Sequence, residues 1–190
     1  SRAGRKQRGL NENLAREIME LHTLGVDGGY GEVDVQAFSQ VLTGWSVIRK
    51  YWETGDVFRF REQAHEPGQK SIMGRTYRTG EEGGVAVLRN LAHHPSTAKF
   101  LARKIAVHFM SSEPPSALVS RLENVFQRSG GDLDLLARTL IQSPEMWRPK
   151  RQKLKTPIEW LISLSRAAGK RDGWGKLVPA SRRLGQAPYT

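Results

Sequence analysis

Two glutamates and a histidine lie close together in the stretch NENLAREIMELHTLGVDGGY, residues 11–30. Glu17 and Glu20 are three residues apart, so on a helix they are neighbours on one side, and His22 follows two residues later. Carboxylates and imidazoles bind transition metals and act in acid–base catalysis. The spacing favours a capped structural helix instead, because di-iron helices use Glu-x-x-His, whereas His22 falls on a different face.

A second candidate site is the turn HEPGQK, residues 65–70, which follows a predicted strand. His65 and Glu66 are adjacent there, and together they could act as general acid and base or as metal ligands. Lys70 could add an anion-binding charge. The alternative is a structural turn in which the histidine and the lysine make only local contacts.

Further candidates lie in the helical sequence after residue 80. Lys99 and Arg103 are four residues apart and could bind an anion together, although a solvated helix face has the same pattern. His93 and His94 are predicted to end one helix and cap the next. His108 lies on a predicted apolar stripe with Leu101, Ile105 and Phe109, which is typical of a core histidine.

Catalytic sequence motifs are absent from the chain. It contains no Gly-x-Ser-x-Gly elbow, no His-Glu-x-x-His helix and no dinucleotide-binding glycine motif. It also contains no cysteine, which excludes disulfides, thiolate metal ligands and a cysteine nucleophile. No cofactor is evident from the sequence.

Helical periodicity dominates the elements that would position these residues. Asn11 is predicted to cap a first helix with the apolar face Leu14, Ile18 and Leu21, and Gly25 ends it. Short aromatic and β-branched runs between residues 46 and 78 predict a small antiparallel β insert. Helices return after residue 80, and Thr156 and Glu159 form a capping box for the last one. The prediction is a mainly α, multi-helix bundle-like domain with a β insert at about 46–78.

Charge divides the 190-residue chain into three segments. Residues 1–9 carry four basic side chains and no acid, and residues 148–190 carry eleven against two acids, which leaves residues 10–147 at a net −2 of the total +11. We expect a basic N-terminal segment (1–9), a single helical domain (10–169) and a basic C-terminal segment (170–190) that is the truncated continuation of a longer chain. Nucleic-acid binding is not favoured, because no recognition-helix or aromatic-interleaved basic strand accompanies the charge. No apolar run is long enough to span a membrane.

Five motifs together resemble the bacterial family known as domain of unknown function 1800. They are RGLNENLAREIMELHTLGVDGGY, LTGW, FRFREQAHEPGQKSIMG, HHPSTAKFLARKIAVHF and KTPIEWLISLSRAAG. The resemblance in their order and spacing extends over essentially the whole chain. The resemblance implies a longer protein, exported or periplasmic in its full-length form. It also implies a partner similar to sulfatases and phosphatases that is encoded nearby. It supplies no catalytic residues.

Two functional hypotheses follow from these observations. The first is a non-catalytic or accessory helical domain that binds a partner protein, an envelope component or the rest of its own chain. The second is a hydrolase-like enzyme, metal-dependent or not, that uses His65 and Glu66 with Glu17, Glu20 or His22. The second hypothesis requires that these side chains converge in one cleft.

Overall fold

The first helix changes its geometry halfway along. The computed structural model of the protein describes residues 10–47, 58–147, 154–170 and 174–186. Helix α1 (Glu12–Glu17) begins at Asn11, whose side chain accepts a hydrogen bond from the backbone N–H of Leu14, as predicted. It continues as a π-helical segment, Ile18–Thr23, in which the Thr23 hydroxyl donates to the carbonyl of Ile18 at 2.7 Å. π-Helical turns are rare and widen the helix locally.

Helix α2 (Glu32–Val41) leads into two short antiparallel hairpins. Strands β1 (Trp45–Val47) and β2 (Phe58–Phe60) pair in the first hairpin, and β3 (Lys70–Ile72) and β4 (Arg75–Tyr77) pair in the second. A 3₁₀ turn, Glu62–Ala64, separates the hairpins. The predicted β insert is therefore present, although the part of it that covers residues 48–57 lies outside the described residues.

Four helices and a 3₁₀ turn follow the hairpins. They are α3 (Glu81–Ala92), α4 (Pro95–Phe109), α5 (Ser116–Arg128) and α6 (Leu133–Gln142), followed by a 3₁₀ turn, Pro144–Trp147. His93 ends α3, and the Nδ1 atom of His94 accepts from the N–H of Ser96 at the start of α4, as predicted. Asp132 caps α6 through the N–H of Leu135.

The last described helices form a pair. Helix α7 (Pro157–Ala167) begins with the predicted capping box, in which Thr156 and Glu159 bond to each other's backbone N–H groups. A 3₁₀ turn, Trp174–Lys176, leads directly into α8 (Leu177–Arg183). Helix α8 lies within the segment predicted as a basic C-terminal continuation. The division of the chain at residue 170 stays a prediction.

Two hydrophobic clusters make up the core. The first joins the π segment, α2, the second hairpin and α3, and its largest fully buried side chains include Phe38, Met19 and Ile72. The second joins α4, α5 and α6 around Leu118, Leu122 and Leu136. The fold is thus mainly α with a small β insert, as the sequence predicts. Within the described ranges, no helix has the length and apolar character needed to span a membrane.

The buried faces of two helices differ from the sequence prediction. Helix α4 buries Thr97, Ala98, Ala102 and Ala106, while His108 and Phe109 are exposed, so the prediction of a core histidine is wrong. Leu101 and Ile105 flank the cluster only partly buried. Helix α1 likewise buries Ala15, and the π segment buries Met19, whereas Leu14 and Leu21 are 42% and 48% exposed. Small side chains let neighbouring helices approach closely, which favours this face over the bulkier stripe.

Candidate functional site

His65 connects three separate parts of the fold through its imidazole ring. Nδ1 lies 2.9 Å from the carbonyl oxygen of Thr43, just after α2. Nε2 accepts a hydrogen bond of 2.9 Å from the backbone N–H of Gly80, the N-cap of α3, and the Thr79 hydroxyl lies 3.0 Å from the same nitrogen. Because a carbonyl only accepts and an amide N–H only donates, Nδ1 carries the ring proton and Nε2 accepts. Both nitrogens are therefore engaged with the backbone.

Thr43 completes the connection between α2 and the turn after the 3₁₀ segment. Its hydroxyl donates to the carbonyl of Gln40 at 2.6 Å and accepts a bond of 2.7 Å from the N–H of Glu66. The backbone of Glu66 is thus held in place by this bond, while the residue is exposed to solvent. The bond from Glu66 holds the loop after α2 against the candidate turn HEPGQK.

Gly44 allows this close approach. Its φ of +84° is in the left-handed region, and a Cβ placed there would lie 2.7 Å from the carbonyl oxygen of Arg61 and 3.2 Å from the Cβ of His65. Any side chain would push the turn away. Phe60 adds an edge contact with the imidazole, with ring centroids 5.2 Å apart. These contacts pack the loop after α2, the turn at His65 and the start of α3 closely together in one corner of the fold.

The first turn of α3 is packed against the same corner. A Cβ on Gly84 would lie 2.6 Å from the Cζ2 atom of Trp45, so the indole ring rests directly on the helix backbone. A Cβ on Gly83 would collide with the carbonyl oxygen of Arg78. The indole N–H of Trp45 is buried there and finds no hydrogen-bond partner among the described residues, which costs free energy.

Glu17, Glu20 and His22 lie on a different element, at the end of α1 and in the π segment. Glu17 and His22 are exposed, and Glu20 is half-buried. The described hydrogen bonds and ion pairs of His65 include none of these three residues. Within residues 10–47, 58–147, 154–170 and 174–186, no three His, Asp or Glu side chains are grouped closely enough to hold a metal ion.

Glu20 takes part in the electrostatics around Tyr30. Burial raises the pKa of Tyr30 above 10.0, and the nearby Glu20 carboxylate raises this pKa further, while Arg16 opposes the shift. Arg16 itself forms an ion pair across to α2, with Nη2 2.7 Å and 2.9 Å from the two carboxylate oxygens of Glu32. That hydrogen bond and the charge of Glu32 raise the pKa of Arg16. Arg16 thus joins α1 to α2 through an ion pair.

The candidate anion-binding residues are dispersed. The Lys70 ammonium donates to the carbonyls of Pro67 and Gly68, at 2.7 Å and 3.0 Å, so it closes its own turn. Lys99 and Arg103 are exposed along α4. The next residue on that helix, Lys104, reaches the carbonyl of Leu21 at 2.9 Å, at the end of the π segment.

Asp34 has a structural role that its sequence position only partly indicates. One carboxylate oxygen accepts from the N–H of Gly31 at 2.8 Å, which caps α2. The other accepts from the N–H of Met73 at 2.6 Å, in the turn of the second hairpin. Met73 has a positive φ of 49°, which is unfavourable for a residue with a side chain. The helix-start acid was detectable from the sequence, but its bond to a turn 39 residues away was not.

A comparison with models of known protein families identifies one family. The family model described as "Protein of unknown function (DUF1800)" matches residues 1–190. No curated protein and no solved structure matches the chain.

Proposed function

The chain belongs to the DUF1800 family of proteins of unknown function, and we propose that it is a non-catalytic, accessory helical domain. Its role is to bind a partner protein or a component of the cell envelope, in a protein that is exported in its full-length form. The earlier resemblance to this family implies both the export and a sulfatase- or phosphatase-like candidate partner.

The engagement of His65 is the observation that carries the proposal. A general base needs an imidazole nitrogen that can reach a substrate proton. Here Nδ1 bonds to Thr43 and Nε2 bonds to Gly80, so either nitrogen would have to break a backbone hydrogen bond to act. These bonds support a structural role for the histidine.

The distribution of the other candidates supports the same proposal. An acid–base or metal site needs its side chains within hydrogen-bond or coordination distance of one another. Glu17 and His22 are exposed on the first helical element, whereas His65 and Glu66 lie in the turn between the two hairpins. The candidate residues thus lie on separate elements, which suits a domain that binds partners better than a domain that carries out catalysis.

The test pairs a search for hydrolysis with a search for binding. We expect no turnover of ester, phosphate-ester, sulfate-ester or peptide substrates that depends on Glu66, and saturable binding either to an envelope fraction or to the co-expressed sulfatase-like partner. Glu66→Gln is the informative variant because the side chain is exposed, so its folding should be unchanged. A reaction that Glu66→Gln abolishes at unchanged thermal stability would replace the accessory role with catalysis.

A matched variant controls for the charge change itself. Glu62→Gln alters an equally exposed carboxylate in the neighbouring 3₁₀ turn. Turnover lost in both variants would also contradict a non-catalytic domain, but it would not assign the reaction to Glu66. Absence of binding to both targets would remove its main support.

A further inference from the structure

Helices α7 and α8 form an antiparallel unit that we call the α7–α8 hairpin, residues 154–170 and 174–186. The side-chain oxygen of Gln186, just after α8, accepts a bond of 3.0 Å from the N–H of Ile158 in the first turn of α7. Ser181 in α8 is fully buried. Neither of the two hydrophobic clusters of the described fold includes a residue of this hairpin.

Apolar side chains remain exposed on the hairpin. No residue of α7 is buried, although the helix contains five large apolar side chains. Trp160 and Leu164, four residues apart on one face, are 50% and 52% exposed. Leu154 and Leu184 are 92% and 51% exposed. In the part of the chain that the structure describes, α7 thus lacks the fully buried residues that α4, α5 and α6 each have.

The same hairpin carries an excess of positive charge. Its described residues include six basic side chains and one acid, Glu159, which is held in the capping box with Thr156. The six are Lys155, Arg166, Lys170, Lys176, Arg182 and Arg183. Residues 10–147, by contrast, have a net charge of −2. The surface complementary to this hairpin is therefore a negatively charged one, and the net charge of −2 spread over residues 10–147 is small beside the six basic side chains.

We propose that the α7–α8 hairpin binds an anionic lipid surface. Trp160 and Leu164 enter the boundary between headgroups and acyl chains, and the basic side chains lie against the phosphate groups. This inference rests on the binding role proposed above and names its target. Amphipathic helices with basic residues, tryptophan and leucine bind membrane interfaces through these two contributions.

The arrangement of the exposed residues favours lipid over an acidic protein. A stable protein interface buries roughly 800 Å² per partner in one complementary patch. Trp160 at half exposure offers only about 100 Å², and Leu164 adds a smaller area beside it. Leu154 and Leu184 lie outside the two helices at their ends. A lipid interface accepts such side chains one at a time, and long basic side chains adapt to its headgroups.

Cosedimentation of the whole chain with lipid vesicles tests the proposal. We expect binding to vesicles of phosphatidylglycerol and phosphatidylcholine in equal amounts, no binding to phosphatidylcholine alone, and weakening with salt. Arg182→Gln with Arg183→Gln should weaken binding about thirtyfold, from two lost surface charges. Trp160→Ser with Leu164→Ser should weaken it about tenfold. All four side chains belong to exposed residues, so thermal stability should change little.

Matched pairs elsewhere on the chain serve as controls. Arg75→Gln with Arg78→Gln removes the same charge from exposed positions in and next to β4. Leu133→Ser with Ile141→Ser removes exposed apolar side chains from α6. Both control pairs should bind the vesicles as the original chain does. If a hairpin pair unfolds the chain, Leu154→Ser replaces it, since this residue precedes α7 and is 92% exposed.

Several outcomes would overturn the lipid proposal. One is equal loss of binding in the control pairs. A second is equally strong binding to poly-glutamate or to duplex DNA, which would indicate a general affinity for polyanions. Absence of vesicle binding together with capture of poly-glutamate would point to an acidic protein and leave the accessory role intact. Hydrolysis that depends on Glu66 would instead contradict the accessory role, whatever the vesicles show.

Discussion

Replacing His65 by alanine separates a structural histidine from a catalytic one. The imidazole holds the end of α2 through the Thr43 carbonyl and the start of α3 through the N–H of Gly80. Alanine removes both bonds and the edge contact with Phe60. The backbone groups left behind lie at a half-buried corner, where water can replace only part of what is lost.

The expected loss of stability follows from these contacts. Each of the two hydrogen bonds contributes about 1 kcal/mol, and the ring contact adds about 0.5 kcal/mol. His65→Ala should therefore lower the free energy of unfolding by about 2–3 kcal/mol. For a chain of this size, that corresponds to a drop in Tm of roughly 5–10 °C. His65→Asn should lose about half as much stability, because its amide N–H can replace the Nδ1 bond to Thr43 but nothing replaces the Nε2 bond to Gly80.

Urea denaturation followed by far-ultraviolet circular dichroism measures the difference. Glu66→Ala is the matched control, because only the backbone N–H of Glu66 is bonded to Thr43 and alanine keeps that group. We expect this control within about 0.5 kcal/mol of the original chain. A His65→Ala variant as stable as Glu66→Ala would refute the structural assignment and return His65 to the list of reactive groups.

Three further predictions concern other contacts. Gly84→Ala should destabilise the chain by about 1–3 kcal/mol in urea, because its Cβ would displace the Trp45 ring; stabilisation, as helix propensity alone predicts, would contradict this packing. Asp34→Ala should lower the free energy of unfolding by about 2–3 kcal/mol, and Asp34→Asn should lower it less, since one acceptor oxygen remains. Equal stability of the original chain and both variants would count against the two bonds to Gly31 and Met73. Tyr30 should titrate above 10.0, and Glu20→Gln should lower its pKa, measured by ultraviolet difference absorbance against Tyr30→Phe. Because the folded-state pKa of Tyr30 is raised, its contribution to stability is complete below pH 10.0 and is lost as pH rises through the folded pKa; a Tyr30 that titrates at or below 10.0 would contradict the burial.

Features set by residues close in sequence were predictable. The caps at Asn11, His94, Asp132 and Thr156 each involve a partner two or three residues away, so residue type and spacing suffice. The hairpin region was predictable for a similar reason, because strand residues and turns alternate over short distances. The mainly helical class followed from these signals together.

Features that depend on residues far apart in the sequence could not be predicted from residue type and spacing. His65 bonds to residues 22 and 15 positions away, and nothing in the turn HEPGQK specifies those partners. The sequence identified His65 as chemically capable, but only the fold shows that both nitrogens are occupied. The buried face of α4 was misassigned because periodicity gives weight to large apolar residues, whereas the neighbouring helix packs on the small ones.

The alanine face of α4 has a consequence for the entropy of folding. Ordering a leucine or isoleucine side chain costs about 0.5–1 kcal/mol of rotamer freedom, whereas alanine has none to lose. Ala98, Ala102 and Ala106 therefore contribute to the second cluster without that cost, while α5 supplies the bulk through Leu118, Leu122 and Phe126. The rotamer-ordering cost of the fully buried side chains in this contact therefore falls mainly on α5.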